Sequence, residues 1–306
     1  MRKLVVNMAF GLIYYLPSWL WLDKLCTKVV IWKSNGKWPN TNRPKTFSDI
    51  CTKINFEQIN GLRSIICNKF YLRYYVTATI GPKFLLPLID HIQSMADYHK
   101  LCEANFEPCV LKPAHGSGAV FFANSIQELK SKECQEFCTQ MLKLKYDRLS
   151  KQITYGTFER SIIVEKNMGT IDGRTISDYK IHCFHGIPTI VQHDEGRFQN
   201  HTQTFYDPSW QHLDVNVLAG VKSSPSLEKK PSCLEAIIDT ARNLSKGLDY
   251  VRVDLYAINE SIYVGEMTSF PWGGKYGFKP SKFDRDLAKL YNESMSTEDF
   301  FSNWPK

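Results

Sequence analysis

Two acidic residues late in the chain, Asp254 and Glu266, have the spacing of partners across a β-hairpin. The segment YVRVDLYAINESIYVGEMTSF consists of two alternating apolar runs joined at residues 259–261, which predicts two strands and a three-residue loop. With that loop Ile258 pairs with Ile262, and counting back along both strands places Asp254 opposite Glu266 on one face. Two like charges at this separation repel unless a cation lies between them, and Mg²⁺ prefers oxygen ligands. The pair therefore predicts a divalent metal site.

Thr268 and Arg252 each lie two residues from one of these acids and are predicted on the same face. The Thr268 hydroxyl would add an oxygen ligand or order a water molecule. Arg252 would place a cation beside the anionic site. The alternative interpretation is that Asp254 and Glu266 are surface carboxylates, each paired with a lysine or arginine.

A lysine and a glycine-rich turn occur together at residues 110–122, VLKPAHGSGAVFF. Lys112 ends the first apolar run, and His115, Gly116, Ser117 and Gly118 follow before the second. Glycines let the backbone approach an anion closely, and backbone N–H groups beside an ammonium form a phosphate cradle. The loop is neither a Walker loop, since no GK[ST] follows, nor a dinucleotide fingerprint, since no long helix opens on it. An ordinary hairpin turn is the alternative.

Two further segments end or line predicted strands with polar groups. Glu165 and Lys166 close one strand and precede Asn167, an arrangement that offers a carboxylate and backbone groups to an adenine amino group. Asp178 and Lys180 share one face of the next strand, where Lys180 would reach a phosphate. The alternative for the second pair is a cross-strand salt bridge of small energetic value.

The composition of the whole chain limits its class. The chain has 306 residues, of which 43% are hydrophobic and 23% charged, which is typical of a soluble globular protein. A formal net charge of +7 favours an anionic partner, and because the basic residues are scattered, a nucleotide or polyanionic substrate is predicted rather than nucleic acid. A solvated basic surface is the alternative. Nine cysteines without a CxxC pair predict reduced thiols rather than disulfides or zinc.

The hydrophobic patterns predict the elements that must position these residues. Helices are predicted at residues 48–78, 125–149 and 231–248, and strands at residues 161–165, 179–184, 188–192, 251–258 and 262–267. The last of these helices is predicted to carry an apolar stripe on one face, formed by Leu234, Ile237, Ile238, Ala241 and Leu244. Residues 109–122 are predicted to form two strands around the glycine loop. Antiparallel strands mixed with flanking helices predict an α+β fold.

The N-terminal segment, residues 4–22, is almost entirely apolar and follows two basic residues. Gly11 and Pro17 interrupt it, so a straight membrane-spanning helix is not predicted. Two interpretations stay open. Trp19 and Trp21 would suit a peripheral contact at a membrane interface, or the segment forms a helix that packs on the protein itself.

Taken in order, these segments resemble the ATP-grasp superfamily and, within it, the TupA-like branch from bacterial polysaccharide gene clusters. The matching stretches are GKWPNTNRPKTF, VLKPAHGSG, DYKIHCFHG, VRVDLY and YVGEMTSFPWGG, and they span roughly residues 35–280. A further stretch, NKFYLRYYV at residues 68–76, resembles the Asp-Lys helix that supplies an upstream nucleotide-binding lysine. That lysine is Lys69 here, and Asn68 stands in place of the usual Asp.

The resemblance implies an α+β ATP-grasp fold that holds the nucleotide between two α+β lobes after a helical N-terminal region. The implied domains are residues 1–47, the apolar segment and a loop; 48–105, an N-terminal α/β lobe; 106–168, a small lobe with the glycine loop and the adenine strand; and 169–306, a C-terminal lobe with the metal hairpin.

The resemblance also implies a role for each matching residue. Those implied to bind ATP are Lys69, Lys112, His115, Gly116, Ser117, Gly118, Glu165, Lys166, Asn167 and Asp178. Mg²⁺ is implied at Asp254 and Glu266, with Thr268 standing where many relatives have asparagine. Arg252 is implied to stabilise charge on the reacting groups, and Lys180 to support the phosphates or the substrate anion.

The activity that the resemblance implies is that of an ATP- and Mg²⁺-dependent ligase that forms a C–N bond. A carboxylate takes the γ-phosphoryl group of ATP to give an acyl phosphate, and an amine then displaces phosphate. The implied setting is bacterial surface polysaccharide biosynthesis, with a uronic acid joined to an amino acid or amino sugar as one product. The open alternatives are a kinase acting on a glycan, a glycosyltransferase of the same gene clusters, and a nucleotide-binding protein without turnover.

The expected partners are ATP, an anionic sugar or glycan and an amine, with no nucleic acid. The expected location is the cytoplasm, at the inner face of the membrane if residues 4–22 contact it. Substrate specificity is expected in residues 40–60 and 192–226, where the sequence matches no motif.

Overall fold

The described residues alternate helical segments with three antiparallel sheets, of four strands (the smaller sheet), six strands (the larger sheet) and two strands. The structure is a computed structural model and describes residues 20–57, 61–168, 178–195, 201–217, 221, 223–224, 227–293 and 296–302. The helices are α1 (Leu20–Asn35), α2 (Phe47–Glu57), α3 (Gly61–Cys67), α4 (Lys69–Thr79), α5 (Met95–Glu103), α6 (Ile126–Leu129), α7 (Lys132–Lys143), α8 (Tyr146–Ser150), α9 (Leu234–Ser245), α10 (Ser281–Glu293) and α11 (Thr297–Ser302). Short 3-10 turns lie at Pro82–Phe84, Ile153–Gly156 and Pro271–Gly274.

The strands are β1 (Leu88–Ile92), β2 (Cys109–Pro113), β3 (Phe121–Ala123), β4 (Ile162–Lys166), β5 (Asp178–Phe184), β6 (Ile187–Glu195), β7 (Thr202–Tyr206), β8 (His212–Leu213), β9 (Asn216–Val217), β10 (Tyr250–Ile258), β11 (Ser261–Thr268) and β12 (Phe278–Lys279). The strands predicted from the sequence are confirmed as β2 to β6, β10 and β11. The helices predicted at residues 48–78 are also present, as α2, α3 and α4.

The smaller sheet has the strand order β1-β4-β2-β3. Leu111 and Val164 pack on one of its faces with buried side chains of α5 and α7. Because side chains alternate along a strand, Val110 and Lys112 of β2 project from the opposite face, together with Glu165 of β4. That face lines a cavity between the two sheets.

The larger sheet has the strand order β11-β10-β5-β6-β7-β8, with all its pairs antiparallel. Helix α9 packs on one face, and the residues predicted to share an apolar stripe on this helix are all buried there: Leu234, Ile237, Ile238, Ala241 and Leu244. The other face is apolar at one end, where Phe184 and Phe205 pack with Phe47 of α2 and Phe283 of α10. Its remaining end is polar and carries the candidate site.

The start of helix α4 is set by Asn68. Its side-chain Oδ1 accepts hydrogen bonds from the backbone N–H groups of Phe70 at 3.0 Å and Tyr71 at 3.2 Å, which satisfies two donors that a helix leaves open at its N-terminus. Asparagine therefore performs the capping that an aspartate would perform here. The cap holds Lys69 at the first helical position, where its backbone N–H donates to Ala114 O at 2.9 Å.

The loop of the last hairpin is shorter than the sequence analysis predicts. Ile258 pairs with Ser261, not with Ile262, because Asn259 and Glu260 alone form the turn, with φ values of 49° and 63°. A two-residue turn matches the twist of the strands. By itself it would place Asp254 opposite residue 265.

A β-bulge at Gly265 restores the predicted pairing. Leu255 pairs with Val264 and Asp254 pairs with Glu266, so Gly265 is the extra residue on β11. A Cβ on Gly265 would lie 2.7 Å from Tyr256 Cε2, and glycine therefore permits both the bulge and the close approach of the Tyr256 ring. The predicted opposition of Asp254 and Glu266 is confirmed, although the loop length used to derive it is wrong.

The prediction for residues 4–22 falls almost entirely outside the described residues, which begin at residue 20. Among the described residues, no helix combines the length and apolar character needed to cross a membrane. All nine cysteines are free thiols, as predicted. The division into domains stays a prediction; β1, which precedes residue 106, pairs with β4 in the smaller sheet.

Gly265→Ala is expected to disturb the β10–β11 hairpin at its acidic pair while the fold is retained. The added methyl group must displace either the Tyr256 ring or the bulge, and Glu266 moves with the bulge. We expect nucleotide-dependent Mn²⁺ binding, measured by electron paramagnetic resonance, to weaken by about tenfold, which corresponds to about 1.4 kcal/mol.

Gly61→Ala is the matched control, because nothing lies within 4 Å of a Cβ built at that position. It should bind Mn²⁺ like the wild type. Wild-type Mn²⁺ affinity in Gly265→Ala would show that the bulge does not position Glu266.

Candidate active site

The polar end of the larger sheet brings together five of the predicted metal and catalytic residues. Asp254 on β10 lies opposite Glu266 on β11 and opposite Lys180 on β5, and Arg252 lies opposite Thr268. Directly paired residues of antiparallel strands project to the same face. The predicted metal and catalytic groups therefore form one continuous patch.

Basic side chains neutralise the two acids of this patch. Arg252 holds Asp254 through two parallel hydrogen bonds, from Nε to Oδ1 and from Nη2 to Oδ2, each 2.7 Å long. Its Nη2 also lies 3.3 Å from Glu266 Oε1, while Lys69 Nζ lies 3.2 Å from Glu266 Oε2. Burial disfavours the charged guanidinium, but Asp254 and Glu266 outweigh it and raise the pKa of Arg252. Buried carboxylates require such pairing.

Lys180 lies at the centre of a second charged group. Its Nζ is 2.9 Å from Asp178 Oδ2 and 2.9 Å from Asp194 Oδ2, and the residue is only 3% exposed. Burial alone would discharge the amine, but Asp178, Asp254 and Asp194 reverse that effect and raise its pKa. Lys180 therefore stays charged beside the acidic pair.

Lys112 crosses from the smaller sheet toward this patch. Its Nζ donates to Glu165 Oε2 at 2.9 Å and lies 5.7 Å from the centre of the Tyr256 ring. Arg73 Nη1 binds the other oxygen of Glu165 at 3.0 Å. Burial opposes the charge of Lys112, but the Tyr256 and Glu165 oxygens outweigh it and raise its pKa. Glu165 thus orients two cations, which differs from the adenine contact that the sequence implies for its carboxylate.

The glycine loop joins the two sheets through Lys69, whose Nζ donates to Gly116 O. Gly118 has a φ of 88° and open space around its Cα, a conformation that favours glycine. The loop thereby exposes Gly118, which lines the cavity between the sheets together with Lys69 and Lys112.

His115 and Gly116 are packed against other parts of the protein. His115 is 1% exposed, and its ring nitrogens lie 3.3 Å from Ser161 O and 3.2 Å from Leu144 O. Gly116 is buried, and a Cβ there would approach the Tyr146 ring to 3.1 Å. The His115 ring therefore anchors the loop, and the implied contact of these two residues with ATP stays a prediction.

A first cavity of about 580 Å³ lies between the sheets. Apolar side chains line one part of it: Leu86, Val110, Val120, Phe122, Met168 and Ile258. The predicted site residues that line it are Lys69, Lys112, Gly118, Glu165, Lys166, Asn167, Asp178, Asp254 and Glu266. An elongated ligand with one flat apolar end and one highly charged end would match this lining.

A second cavity of about 370 Å³ adjoins the first at Glu266, which lines both. The other predicted residues on its wall are Ser117, Lys180, Arg252 and Thr268. The predicted site residues are thus distributed over two cavities that meet at the acidic pair.

The acidic pair fits a divalent cation that is also bound by a ligand. No group of three or more His, Cys, Asp or Glu side chains among the residues that the structure describes could hold a metal ion. Asp254 and Glu266 supply two carboxylates, and Mg²⁺ commonly takes one or two carboxylates together with substrate phosphates. The Thr268 hydroxyl donates to Glu266 Oε1 at 3.1 Å, so its observed contact orients the carboxylate; its role as a ligand stays a prediction.

Three residues that shape the site were not predicted from the sequence. Arg73 lies one helical turn after Lys69 on α4 and binds Glu165, so i,i+4 spacing was a usable signal. Asp194 lies two residues after Gln192 on β6, and it pairs with Asp178 of β5 as Gln192 pairs with Lys180. Its spacing from Gln192 predicts only that both lie on one face of the strand. Tyr256 gave no signal, because its ring contacts Lys112 only across the two sheets.

His182 connects the site to the apolar end of the larger sheet. Gln192 Nε2 donates to Asp194 Oδ1 at 2.8 Å, which leaves Gln192 Oε1 to accept from His182 Nε2 at 3.2 Å. His182 Nδ1 therefore accepts from the Tyr250 hydroxyl at 2.9 Å. Burial and the nearby Arg252 lower the pKa of His182 from 6.5 to about 3, so the ring stays neutral in the folded protein.

This buried ring predicts a loss of stability in acid. The folded-state pKa of His182 lies below the unfolded value, so the unfolded chain binds the proton first, and the stabilisation present above about pH 6.5 is lost as the pH falls toward 3. We expect His182 to account for about 1.4 kcal/mol of unfolding free energy per pH unit between about pH 6 and 4. Urea denaturation at several pH values measures this slope.

His182→Gln, whose amide does not titrate, isolates the contribution of His182. Burial also lowers the pKa of His91, His115 and His193 and raises the pKa of Asp254 and Asp284 to about 6, which contributes a slope of the opposite sign. The contribution of His182 is therefore read as the difference between the slopes of the wild type and the variant. Equal slopes in the wild type and the variant would refute the assignment.

Three solved structures illustrate what the chain resembles. D-alanine–D-alanine ligase from Bacillus anthracis has 16% identity, with 79% of this chain and 68% of that chain covered, at a TM-score of 0.44. The ATP complex of the Bacillus anthracis ligase has 15% identity, with coverages of 69% and 56%, at 0.38. N5-carboxyaminoimidazole synthase from Aspergillus clavatus, in complex with ADP and 5-aminoimidazole ribonucleotide, has 12% identity, with coverages of 67% and 44%, at 0.39. The chain spans about half the length of the last two.

No curated protein matches the sequence. A sequence model of the family described as TupA-like ATPgrasp matches residues 55–292, which is most of the chain and contains every predicted site residue. The match confirms the resemblance seen in the motifs and the predicted α+β ATP-grasp fold class, and it supports the expectation of ATP with Mg²⁺. The chain belongs to the TupA-like ATP-grasp family.

Proposed function

We propose that this protein is an ATP- and Mg²⁺-dependent carboxylate–amine ligase that works through an acyl phosphate. The observation that carries the proposal is the meeting of two cavities at Glu266, with Lys69 and Arg252 on either side of its carboxylate. One cavity suits a nucleotide, and the other lies where an acceptor would face the terminal phosphate. Family membership supports the nucleotide.

The first cavity accommodates ATP in one orientation. The base lies against the apolar lining near Val110 and Met168, where Glu165, Lys166 and Asn167 are also found. The phosphates extend to Lys112, Lys69 and the exposed backbone at Gly118. This direction follows from charge, because the ammonium groups and the acidic pair lie at the end away from the apolar side chains.

Asp254 and Glu266 would hold Mg²⁺ against the phosphate oxygens, with Thr268 orienting Glu266. The ion would supply positive charge where negative charge accumulates during phosphoryl transfer. Arg252 and Lys69 contact these carboxylates. Once the acids bind the ion, the two cations would be available to contact the phosphates.

The chemistry then needs positioning rather than a protein nucleophile. An oxygen of the acceptor carboxylate attacks the γ-phosphorus, the bond to the β-phosphate oxygen breaks, and ADP and an acyl phosphate form. The amine nitrogen attacks the acyl carbon, phosphate leaves, and the nitrogen loses a proton. Arg252 and Lys180 line the second cavity and would neutralise the carboxylate and the departing phosphate.

The setting proposed for this ligase is bacterial surface polysaccharide biosynthesis, with an anionic sugar or glycan as the carboxylate substrate. The TupA-like family assignment and the basic character of the chain support it. The proposed location is the cytoplasm, with a peripheral membrane contact through residues 4–22 as a separate hypothesis.

The alternatives make different demands on the same residues. A kinase would use the same two cavities but transfer phosphate to a hydroxyl group without needing an amine.

A glycosyltransferase commonly uses a DxD motif, and Asp284 and Asp286 have that spacing. Both residues lie on α10. There Asp284 accepts a hydrogen bond from the Phe278 N–H at 2.8 Å, and Asp286 binds Lys282. Neither lines the first or the second cavity, so no observation on these two cavities favours a glycosyltransferase.

The test is an ADP-release assay with uronic acids and a panel of amines, with products identified by mass spectrometry. A ligase forms ADP and an amide whose mass is the sum of both substrates less water, and only with Mg²⁺ present. Asp254→Asn and Glu266→Gln should abolish turnover while the fold survives, at a lower melting temperature because each change removes one partner of Arg252. A phosphorylated sugar formed without amine would indicate the kinase, and turnover in excess EDTA would refute the proposal.

Lys112→Met is expected to reduce nucleotide affinity more than stability. The variant loses a charged contact worth about 1.5–3 kcal/mol, or about 10- to 100-fold in affinity. Glu165 keeps Arg73 as a partner, so the folded state loses little. Isothermal titration calorimetry with a nonhydrolysable ATP analogue and Mg²⁺ measures the affinity, and thermal unfolding measures the stability.

Lys130→Met is the matched control, since Lys130 is an exposed lysine of the same lobe that lines neither cavity. It should bind the analogue like the wild type. An unchanged affinity in Lys112→Met would favour the interpretation of the loop as an ordinary hairpin turn.

A further inference from the structure

The amide-forming step of the proposed ligase releases a proton that needs an acceptor. As the amine nitrogen bonds to the acyl carbon it loses a proton, and a positioned side chain commonly takes such a proton. A base for this step belongs in the wall of the second cavity, where the acceptor would face the terminal phosphate. Among the described residues, the titratable groups that line this cavity are Tyr146, Tyr155, Lys180, Asp194, His201, Arg252, Glu266 and Lys275.

Most of these groups are unsuited to act as the base. The charged lysine and arginine side chains are donors without an acceptor atom, and neighbouring carboxylates keep Lys180 and Arg252 charged. Burial raises the pKa of Tyr146 and of Tyr155, so both phenols keep their protons. Glu266 is assigned to the metal ion.

The two groups that remain, Asp194 and His201, contact each other. His201 Nε2 lies 3.4 Å from Asp194 Oδ2. The register of β6 and β7 explains the contact, because Gln203 pairs with Asp194 and His201 lies two residues before Gln203, a spacing that returns to the same face of a strand. The contact is long for a hydrogen bond, and catalytic hydrogen bonds often tighten only when the substrate is bound.

Asp194 is held as a carboxylate by its other partners. Its Oδ2 lies 2.9 Å from Lys180 Nζ, and its Oδ1 accepts from Gln192 Nε2 at 2.8 Å. Burial opposes the charge, but Lys180 and Gln192 outweigh burial and lower the pKa of Asp194. Lys180 also contacts Asp178, so two carboxylates share one ammonium group. A proton on His201 would balance the second carboxylate.

The same contact decides which ring nitrogen of His201 is available to a substrate. A carboxylate beside Nε2 favours the tautomer that carries its proton there, which leaves the lone pair on Nδ1. Nε2 is buried, whereas the His201 side chain as a whole is 29% exposed. Within the described parts of the chain, Nδ1 makes no hydrogen bond. His201 therefore has the free lone pair and the supporting carboxylate that a general base requires.

Aromatic rings limit the water in the second cavity. Tyr146, Tyr155, Phe270 and Trp272 line it. Trp272 has φ 52° and ψ 23°, and this left-handed turn places its ring centre 5.9 Å from the Arg252 guanidinium carbon. A cavity with little water protects an acyl phosphate from hydrolysis, and it also makes bulk water a poor proton acceptor. A side chain in the wall is then needed as the base.

The position of His201 suits the second step of the reaction. Strand β10, which carries Asp254, and β7, which follows His201, are three strand spacings apart in the sheet, or about 14 Å at the usual spacing. The phosphoryl group and the acyl carbon would occupy the part of this span beside Asp254, with the amine beyond them toward β7. His201 is thus placed to contact the amine rather than the metal ion.

We propose that His201 is the general base of amide formation and that Asp194 positions it, a role that rests on the proposed function. The amine nitrogen bonds to the acyl carbon, the bond from that carbon to the phosphate oxygen breaks, and phosphate leaves with the electron pair. The nitrogen proton passes to His201 Nδ1, and Asp194 balances the imidazolium. The departing phosphate takes this proton from His201, so hydrogen phosphate is released and the ring is neutral again.

The first measurement concerns the ring itself and does not depend on turnover. Long-range proton–nitrogen NMR on the full chain with ¹⁵N-labelled histidine reports which ring nitrogen carries the proton, at about pH 9, where an ordinary histidine is neutral. The His201 signal is the one that is lost in His201→Ala. We expect the proton on Nε2, and a proton on Nδ1 would overturn the assignment.

The second measurement separates the two steps of the reaction. It uses the carboxylate and amine that form an amide in the ADP-release assay, and hydroxylamine in place of the amine. Hydroxylamine reacts with an acyl phosphate without a protein base and gives a hydroxamate. His201→Ala should slow amide formation by about 100-fold and keep hydroxamate formation. Imidazole in solution should restore part of the amide formation, because it fits the space of the missing ring.

His212→Ala is the matched control, because His212 is an exposed histidine of the same sheet that lines neither cavity. It should form the amide at the wild-type rate and show no response to imidazole.

The outcomes separate this inference from the proposed function. Wild-type amide formation in His201→Ala, or an equal loss of amide and hydroxamate, overturns the base and leaves the ligase proposal standing. If the wild type gives neither ADP nor hydroxamate with any carboxylate, the ligase proposal fails, and the base assignment fails with it. A loss of amide formation alone, reversed by imidazole, supports both.

Discussion

The structure depends on placing two carboxylates side by side, away from bulk water, on one face of a sheet. Asp254 is buried and Glu266 is partly buried, and two such carboxylates repel each other unless cations surround them. Those cations come from distant parts of the chain: Lys69 from the start of α4, Lys180 from β5 and Arg252 from β10. The requirement for neutralisation therefore ties the N-terminal helices, the central strand and the last hairpin together at one point.

The same requirement explains why the site is divided into two cavities. Asp254, Glu266 and Arg252 form a wall in which each charged group holds its neighbour. Ligands therefore approach this wall from one side or the other. The nucleotide cavity reaches Glu266 from the smaller sheet, past Lys112, and the second cavity reaches it past Trp272. A phosphoryl group and a carboxylate that approach from opposite sides would meet at this wall. Positioning the two reactants is a large part of how proteins catalyse phosphoryl transfer.

Hydrophobic periodicity predicted secondary structure correctly where local interactions dominate. Alternating apolar residues located β2 to β6, β10 and β11 but not β1, β7 or β8. The stripe on α9 was predicted down to its buried members, since amphipathic periodicity reflects which face must leave water. The pairing of Asp254 with Glu266 was also predicted, although from a three-residue loop between β10 and β11. A two-residue turn and the bulge at Gly265 shift the register in opposite directions, so the error in the loop cancelled at the acidic pair.

The sequence by itself determined the family, the strands and the helix that carry the motifs, and the identity of most charged groups, because motifs record residue types at fixed spacing along one strand or turn. It did not determine what those groups contact. His115 belongs to the glycine motif, yet it faces inward onto Ser161 O and Leu144 O. Tyr256 and Trp272 reach the site only because two sheets and a left-handed turn converge there. Tertiary structure decided these contacts, since burial and the pairing of charges depend on neighbours that are distant in the chain.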